Sequence, residues 1–141
     1  MVKKCKFTIF ALLIAVFFSS AAVADLTLTK DKKVLSVIVV GEDPSPTAEA
    51  AATHLQGILE KICCAVLPIR KKAGGQEAII LVGQSAAKPV LDKMGIEIPS
   101  GFTTRFNEEG YVVVADNKYL ILAGNETEPY DGTYYAIYDF L

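Results

Sequence analysis

The chain has 141 residues, a formal net charge of −2, and hydrophobic residues at 52% of its positions. A chain of this length is sufficient for one domain. The slightly acidic balance excludes a dedicated nucleic-acid-binding protein, because such a protein needs clustered basic side chains to follow the phosphate backbone. The densest basic segment, Arg70-Lys71-Lys72, is soon followed by two glycines and is typical of a solvated loop.

The first 24 residues predict a secretory signal peptide. Three lysines within residues 1–6 precede an apolar run over residues 7–18, and residues 22–24 read Ala-Val-Ala. This order of charged, apolar and small residues predicts cleavage between Ala24 and Asp25. The apolar run is shorter than the roughly 20 residues that a spanning helix needs, which makes an uncleaved signal anchor the weaker alternative. We therefore expect a secreted or periplasmic protein that leaves the membrane after cleavage.

The cysteines and the single histidine argue against a metal site. After cleavage the chain keeps two adjacent cysteines, Cys63 and Cys64, and its only histidine is His54. Two thiols at the end of a helix, one of them buried, are the leading interpretation. A strained vicinal disulfide and an intermolecular disulfide, which suits an oxidising compartment, are the alternatives.

The first half of the mature chain predicts two strands, a helix and a further strand. Residues 26–29 and 34–40 are expected to be strands that form a hairpin. Ser45 and Pro46 suit the N-cap and first position of a helix. Residues 66–69 predict a short edge strand, because Pro68 has no backbone donor. The expected buried stripe of the helix, with His54 away from it, is Ala48, Ala51, Leu55, Ile58, Leu59 and Ile62.

The central segment predicts one fully buried strand and a second helix. Residues 78–82 are continuously apolar and precede Gly83, which is typical of a strand buried on both faces. Ser85 is expected to cap a helix that runs to Met94 and ends at Gly95.

The C-terminal segment predicts three strands and a last helix. Residues 102–106 are a candidate short strand, and residues 111–115 and 119–123 form a predicted hairpin. Both faces of these two strands are apolar, so both are expected inside the sheet. The last helix begins near Asp131, and its expected buried stripe is Tyr134, Ile137, Tyr138, Phe140 and Leu141. The order of elements predicts an α/β fold, a mixed β-sheet with helices packed against it as an α/β sandwich.

No motif assigns a catalytic, cofactor-binding or metal residue. Glu108 and Glu109 are adjacent in a predicted turn, whereas a glycosidase needs two carboxylates that face one bond. Gly83-Gln84-Ser85 begins like a nucleophile elbow, but Ala87 replaces its second glycine. The segment 41–46 lacks the glycine fingerprint for dinucleotides and contains two acids that would repel a pyrophosphate. Asn125-Glu126-Thr127 fits an N-glycosylation sequon, a pattern that is common by chance.

Five segments, taken together and in order, resemble one family. They are a strand, a Pro- and Ser-bearing turn and a helix with an Ala-Ala-x-x-Leu core; a helix exit that leads to Leu-Pro-Ile; an apolar strand that ends in glycine; a Gly-Tyr step with a hairpin; and Gly-Thr-Tyr-Tyr-Ala-Ile-Tyr-Asp-Phe-Leu. In this chain they occupy residues 37–55, 59–69, 78–83, 110–124 and 132–141. Together, the five segments resemble the N-terminal domain of α-glucuronidases. The same fold recurs as the domain that precedes the catalytic barrel in β-hexosaminidases.

The resemblance implies a non-catalytic accessory domain over residues 25–141, next to a catalytic barrel that carries the acids. Consequently no catalytic residue transfers to this chain. Cys64 departs from the pattern, because the family usually has glycine there. The chain stops at Leu141 in an apolar helix without a glycine cap, which predicts a longer protein interrupted there. A short native protein with a frayed end is the alternative.

Two other classes compete with the accessory domain of an exported glycoside hydrolase. A free-standing secreted carbohydrate-binding module would need exposed aromatic platforms, and the chain has no tryptophan and six tyrosines. Tyr119 and Tyr130 are the candidate platforms. A nucleotide-binding α/β enzyme is the third class, and the missing glycine fingerprint counts against it.

Overall fold

The computed structural model describes residues 26–75, 78–99 and 110–141. The expected signal peptide, the candidate strand over residues 102–106 and the Glu108-Glu109 pair lie outside the described residues. Within the described ranges the chain forms seven strands and three helices.

The chain begins with a small hairpin of its own. Strand β1 (Thr29–Lys30) pairs antiparallel with β2 (Lys33–Val34). The two turn residues, Asp31 and Lys32, both have positive φ, the geometry that matches the twist of a two-residue hairpin. The predicted hairpin is confirmed, but the single strand over residues 34–40 is divided. The chain leaves the hairpin at Leu35 and then enters the main sheet.

Five strands build the main sheet, which is mixed. They are β3 (Ser36–Val39), β4 (Ile69–Arg70), β5 (Ala78–Val82), β6 (Tyr111–Ala115) and β7 (Tyr119–Gly124). Their order is β4-β3-β5-β7-β6, with β6 antiparallel to β7 and the other neighbours parallel. The predicted edge strand is confirmed as β4, although Pro68 precedes it and contributes its carbonyl to the Ile38 N–H at 2.9 Å.

Helices cover both faces of this sheet. Helices α1 (Pro46–Cys63) and α3 (Gly132–Phe140) pack on one face, and α2 (Gln84–Met94) packs on the other. Alternate residues of β3 and β5 enter the two cores, which explains their continuous apolar runs. The α1–α3 side buries Ile38, Val40, Leu55, Ile80, Leu122 and Ile137, and the α2 side buries Val37, Val39, Ile79, Leu81, Leu91 and Ile121. The predicted α/β sandwich is confirmed.

The position of β6 contradicts the expectation that both hairpin strands lie inside the sheet. β7 is central and buried, whereas β6 is an edge strand among the described residues. Val112 and Val114 pack on the α2 side, while Tyr111 and Val113 are exposed on the other face. An apolar composition on both faces indicated burial, but at the edge of a sheet one face of a strand can extend beyond the helices that cover the centre.

Helix α1 begins at Pro46 and ends at Cys63, both as predicted, but the burial of its last turn differs from the expectation. Ser45 is the N-cap, with its Oγ accepting the Ala48 N–H at 3.0 Å, and Pro46 is the first helical residue. Ala48, Ala51, Leu55 and Leu59 are buried, but Ile62 is 65% exposed, so its predicted burial is wrong. An 18-residue helix is about 27 Å long, whereas a four-residue strand such as β3 spans only about 13 Å. The last turn of α1 therefore extends past the sheet.

Two further expectations about helices are wrong. The N-cap of α2 is Gly83 and not Ser85, although the helix ends at Gly95 as predicted. In α3 the buried residues include Thr133, Ala136 and Ile137, whereas Tyr138 and Leu141 are exposed. The start of α3 lies so close to β7 that small residues must face the sheet, and the large rings turn outward.

Cys64 adopts the left-handed conformation that ends α1. Its φ is 53° and its ψ is 34°, and its N–H donates to the Glu60 carbonyl at 2.9 Å. Both thiols are free; Cys64 is exposed and Cys63 is half-buried, so the expectation of one buried thiol is wrong. We expect Cys64→Gly to raise the free energy of unfolding by about 1 kcal/mol, because this conformation strains any residue with a Cβ.

Chemical denaturation under reducing conditions measures this effect. Cys63→Gly is the matched control, because Cys63 has helical geometry and glycine there should lower the stability. Equal losses from both substitutions would contradict the left-handed assignment of Cys64.

Candidate functional site

The cleft at the carboxyl ends of the parallel strands is the candidate site. β3 and β5 are adjacent and parallel, yet the helices that follow them pack on opposite faces of the sheet. The two connecting loops therefore diverge and leave a gap between them. Open α/β sheets usually bind their ligands at such a point.

This strand-end cleft has a volume of about 900 Å³, and eight of its ten lining residues have polar side chains. The loop after β3, the start of α2 and the loop after β7 all contribute to it. Its lining residues are Asp43, Pro44, Ser45, Gln84, Ser85, Lys88, Pro89, Asp92, Glu126 and Thr127.

The carboxylate of Glu126 lies where the first turns of all three helices meet. Its Oε2 accepts a hydrogen bond from the Ser45 hydroxyl at 2.6 Å. Its Oε1 accepts two more, from the Gln84 backbone N–H at 2.9 Å and from the Thr133 hydroxyl at 2.6 Å. The N-terminus of a helix favours negative charge, through its free N–H groups and its dipole. Glu126 thus supplies the cap that α2 lacks at Gly83.

Two hydroxyl groups connect backbone N–H groups to this carboxylate, because each accepts one hydrogen bond and donates another. The Ser45 Oγ accepts the Ala48 N–H at 3.0 Å while it donates to Glu126. The Thr133 Oγ1 accepts the Gly124 N–H at 3.1 Å while it also donates to Glu126. Hydrogen bonds in such chains polarise one another and become stronger. The side chain of Gln84 adds a further link, since its Nε2 donates to the Gly124 carbonyl at 2.9 Å.

Glycine at position 83 makes this arrangement possible. Gly83 has a φ of 84° and a ψ of 168°, a region that only glycine readily adopts. A Cβ there would stand 2.5 Å from the Cβ of Ala48 and 2.8 Å from the Glu126 Oε1. The first turn of α1 and the Glu126 carboxylate can therefore both approach the end of β5.

The charges around the cleft oppose an anionic ligand. Glu126 already occupies the place where a phosphate would meet the helix N-termini, and Asp43 and Asp92 add two more carboxylates to the lining. The one lysine of the lining, Lys88, pairs with Asp92 at 2.9 Å. The Gln84 N–H and the Ser45 hydroxyl, two donors that a phosphate could use, are therefore bonded to the protein's own carboxylate.

An exposed ion pair flanks the same loop. The Lys72 ammonium lies 2.6 Å from Glu42. Their hydrogen bond lowers the pKa of Glu42 and raises the pKa of Lys72. The stabilisation from Glu42 is lost as the pH falls through its lowered pKa, and that from Lys72 is lost as the pH rises through its raised pKa. Solvent and salt screen this pair, because both side chains are exposed.

No protein-family model, no curated protein and no solved structure matches the chain.

The structure separates the groups that a nucleophile elbow would need. The Ser85 Oγ accepts the Asp43 N–H at 3.3 Å. His54, the only histidine of the chain, is exposed on α1 and contacts the rings of Tyr134 and Tyr138 on the other side of the sheet. Ser85 thus has no histidine base, and the elbow hypothesis is excluded.

Asn125 is poorly placed for glycosylation in the folded protein. Its side chain is only 1% exposed, and its Oδ1 accepts the Thr127 N–H at 3.1 Å. The Nδ2, to which a glycan would be attached, is buried and has no hydrogen-bond partner among the described residues. The side chain therefore organises the turn after β7, as asparagine often does.

Sequence reasoning missed the role of Glu126, which appeared only as the middle residue of the sequon. The available signal was an acid two positions after a buried strand that ends in glycine.

In the part of the chain that the structure describes, no group of three or more His, Cys, Asp or Glu side chains is arranged to hold a metal ion. No helix of that part has both the length and the apolar character needed to cross a membrane.

Proposed function

We propose that the chain is a non-catalytic accessory domain of an exported glycoside hydrolase that acts in polysaccharide breakdown, beside a catalytic barrel. The observation that carries this proposal is the strand-end cleft, in which Glu126 accepts hydrogen bonds from three donors that an α/β enzyme could offer to a ligand. Such an internal bond network suits a domain that supports another domain rather than one that turns over a substrate.

A second argument for the proposal is the resemblance to the N-terminal domains of α-glucuronidases, with which the Cys64 cap of α1 is compatible. Cys64 has the left-handed conformation for which glycine is preferred, and that family usually has glycine there. Cysteine in place of glycine at position 64 is therefore compatible with the same backbone conformation as in that family.

The nucleotide-binding alternative loses support at the same site. A nucleotide would have to displace Glu126 from three hydrogen bonds and then meet Asp43 and Asp92.

The carbohydrate-binding alternative gains support from a separate surface. Tyr119, one of its two candidate platforms, packs against the α2-side core with the Lys118 ammonium 5.6 Å from its ring centroid, whereas Tyr130 lines an open groove.

The accessory role predicts that the chain by itself hydrolyses no glycoside and is not stabilised by nucleotides. The assays are turnover of aryl-glycosides, including an aryl-glucuronide, and the melting temperature with and without ATP or NAD. Turnover that survives further purification would contradict the proposal. A rise in melting temperature with a nucleotide would favour the competing class.

The encoding gene provides a second and independent test. We expect the reading frame to continue past the codon for Leu141 into a barrel that carries paired catalytic carboxylates. A stop codon directly after Leu141 would contradict the accessory role. Fusion of residues 1–30 to alkaline phosphatase, which is active only after export, tests the proposed secretion.

A further inference from the structure

A second polar surface, distinct from the strand-end cleft, lies on the outer side of α1 and α3. Two open grooves of about 430 Å³ and about 550 Å³ meet at Asp131. We call their combined surface the tyrosine groove, and its key residues are His54, Glu128, Tyr130, Asp131, Tyr134 and Tyr138. It combines aromatic rings with two carboxylates.

The rings of Tyr134, Tyr138 and His54 form one cluster at this groove. The centroids of Tyr134 and Tyr138 are 6.2 Å apart with 27° between the ring planes. The His54 ring meets Tyr138 edge-on at 5.7 Å. Tyr138 is 56% exposed and its neighbour Tyr135 is 49% exposed. Exposed aromatic side chains that lie together and are rimmed by polar residues often mark a binding site.

The chemistry of the groove points to a neutral sugar. The C–H face of a pyranose ring is weakly positive, and it stacks on the negative face of an aromatic ring. Carboxylates only accept hydrogen bonds, each has several acceptor positions, and sugar hydroxyls are suitable donors to them. The same carboxylates would repel phosphates and uronic acids. A quaternary ammonium ligand is typically enclosed in a cage of aromatic rings, whereas Tyr134, Tyr138 and His54 contact one another.

We propose that the tyrosine groove binds a neutral oligosaccharide. Pyranose rings stack on Tyr138 and Tyr134, and sugar hydroxyls donate to Asp131 and Glu128. This binding does not depend on the accessory role proposed above, because a free-standing module could use the same surface. A glycan would thus be held on the α1–α3 side, away from the cleft that contains Glu126.

Direct titration of the full chain with defined glycans tests the proposal. The probes are xylohexaose, cellohexaose and chitohexaose, with hexagalacturonate as the charged control. Amide shifts in a ¹H–¹⁵N correlation spectrum locate the site, and tyrosine emission follows saturation, because the chain has no tryptophan. We expect at least one neutral hexamer to shift the amides of residues 130–138, and hexagalacturonate to bind more weakly.

Three variants separate a stacking role from a structural one. Tyr138→Ala should raise Kd roughly five- to ten-fold, the effect of losing one stacking ring. Tyr138→Phe keeps the ring and should stay within about two-fold of the native Kd. Met94→Ala, an exposed apolar site on α2, should leave Kd unchanged. Because Tyr138 is largely exposed, the fold should persist, as circular dichroism will verify.

Several results would overturn the inference. They are no binding of any neutral hexamer at millimolar concentration, shifts confined to the strand-end cleft, or an unchanged Kd in Tyr138→Ala. Binding of tetramethylammonium at this groove in place of the glycans would reject the proposed ligand class. None of these outcomes alters the turnover or gene tests of the accessory role.

Discussion

Glu126→Ala should lower the free energy of unfolding by about 2–4 kcal/mol, because it removes the acceptor of three hydrogen bonds, each strengthened by the negative charge. The hydroxyls of Ser45 and Thr133 and the N–H of Gln84 would lose their common partner. Water entering the cleft would satisfy part of this loss. Urea denaturation measures the effect, and the melting temperature should fall by at least about 8 °C for a domain of this size.

Two controls separate the role of the Glu126 charge from that of its position. Glu126→Gln keeps one acceptor oxygen for Gln84 and Thr133, and the Ser45 hydroxyl can turn to accept from the new amide. This variant should therefore lose only about 1 kcal/mol, the difference between charged and neutral hydrogen bonds. Glu128→Ala changes an exposed acid in the same loop and should leave the stability unchanged. If Glu126→Ala were as stable as Glu128→Ala, the carboxylate would not join the three helices.

Gly83→Ala should lower the free energy of unfolding by about 3 kcal/mol or more, or prevent folding altogether. Two costs add at this position. The backbone has a conformation that only glycine readily adopts, and the new methyl group would lie 2.5 Å from the Cβ of Ala48. Either α1 or the loop that carries Glu126 would have to move away from β5.

Gly57→Ala is the matched control for this glycine. Gly57 lies within α1, and a Cβ there would meet nothing within 4 Å. The substitution should therefore raise the stability by about 0.5–1 kcal/mol, the usual gain from alanine in a helix. Denaturation of the two variants should show changes of opposite sign in the free energy of unfolding. A stable Gly83→Ala protein would show that the helices are not held as closely as the structure indicates.

These two residues also bear on function. Glu126 and Gly83 act together, because the glycine allows the carboxylate to reach the first turn of α2. If the cleft served mainly to bind a ligand, an internal acid with three donors would be an obstacle. The accessory role predicts that Glu126→Ala is less stable than the native chain and that its turnover is unchanged.

Local patterns in the sequence determined most of the elements. The apolar run at residues 78–82 predicted β5, Ser45 and Pro46 predicted the start of α1, and Gly95 predicted the end of α2. These features depend on neighbours within a few positions, such as a serine that caps the N–H three residues on. Hydrophobic periodicity and capping are therefore sufficient to predict them.

The tertiary structure alone decided which faces are buried and where the candidate sites lie. β6 and β7 have similar apolar runs, and only the number of neighbouring strands makes β6 an edge. The close approach of α3 to β7 turned Tyr138 outward, against its predicted burial. Ser45 and Glu126 are 81 positions apart, yet their oxygens lie 2.6 Å from each other. No local pattern encodes such a contact, because it arises only when the strand ends of the sheet bring distant loops together.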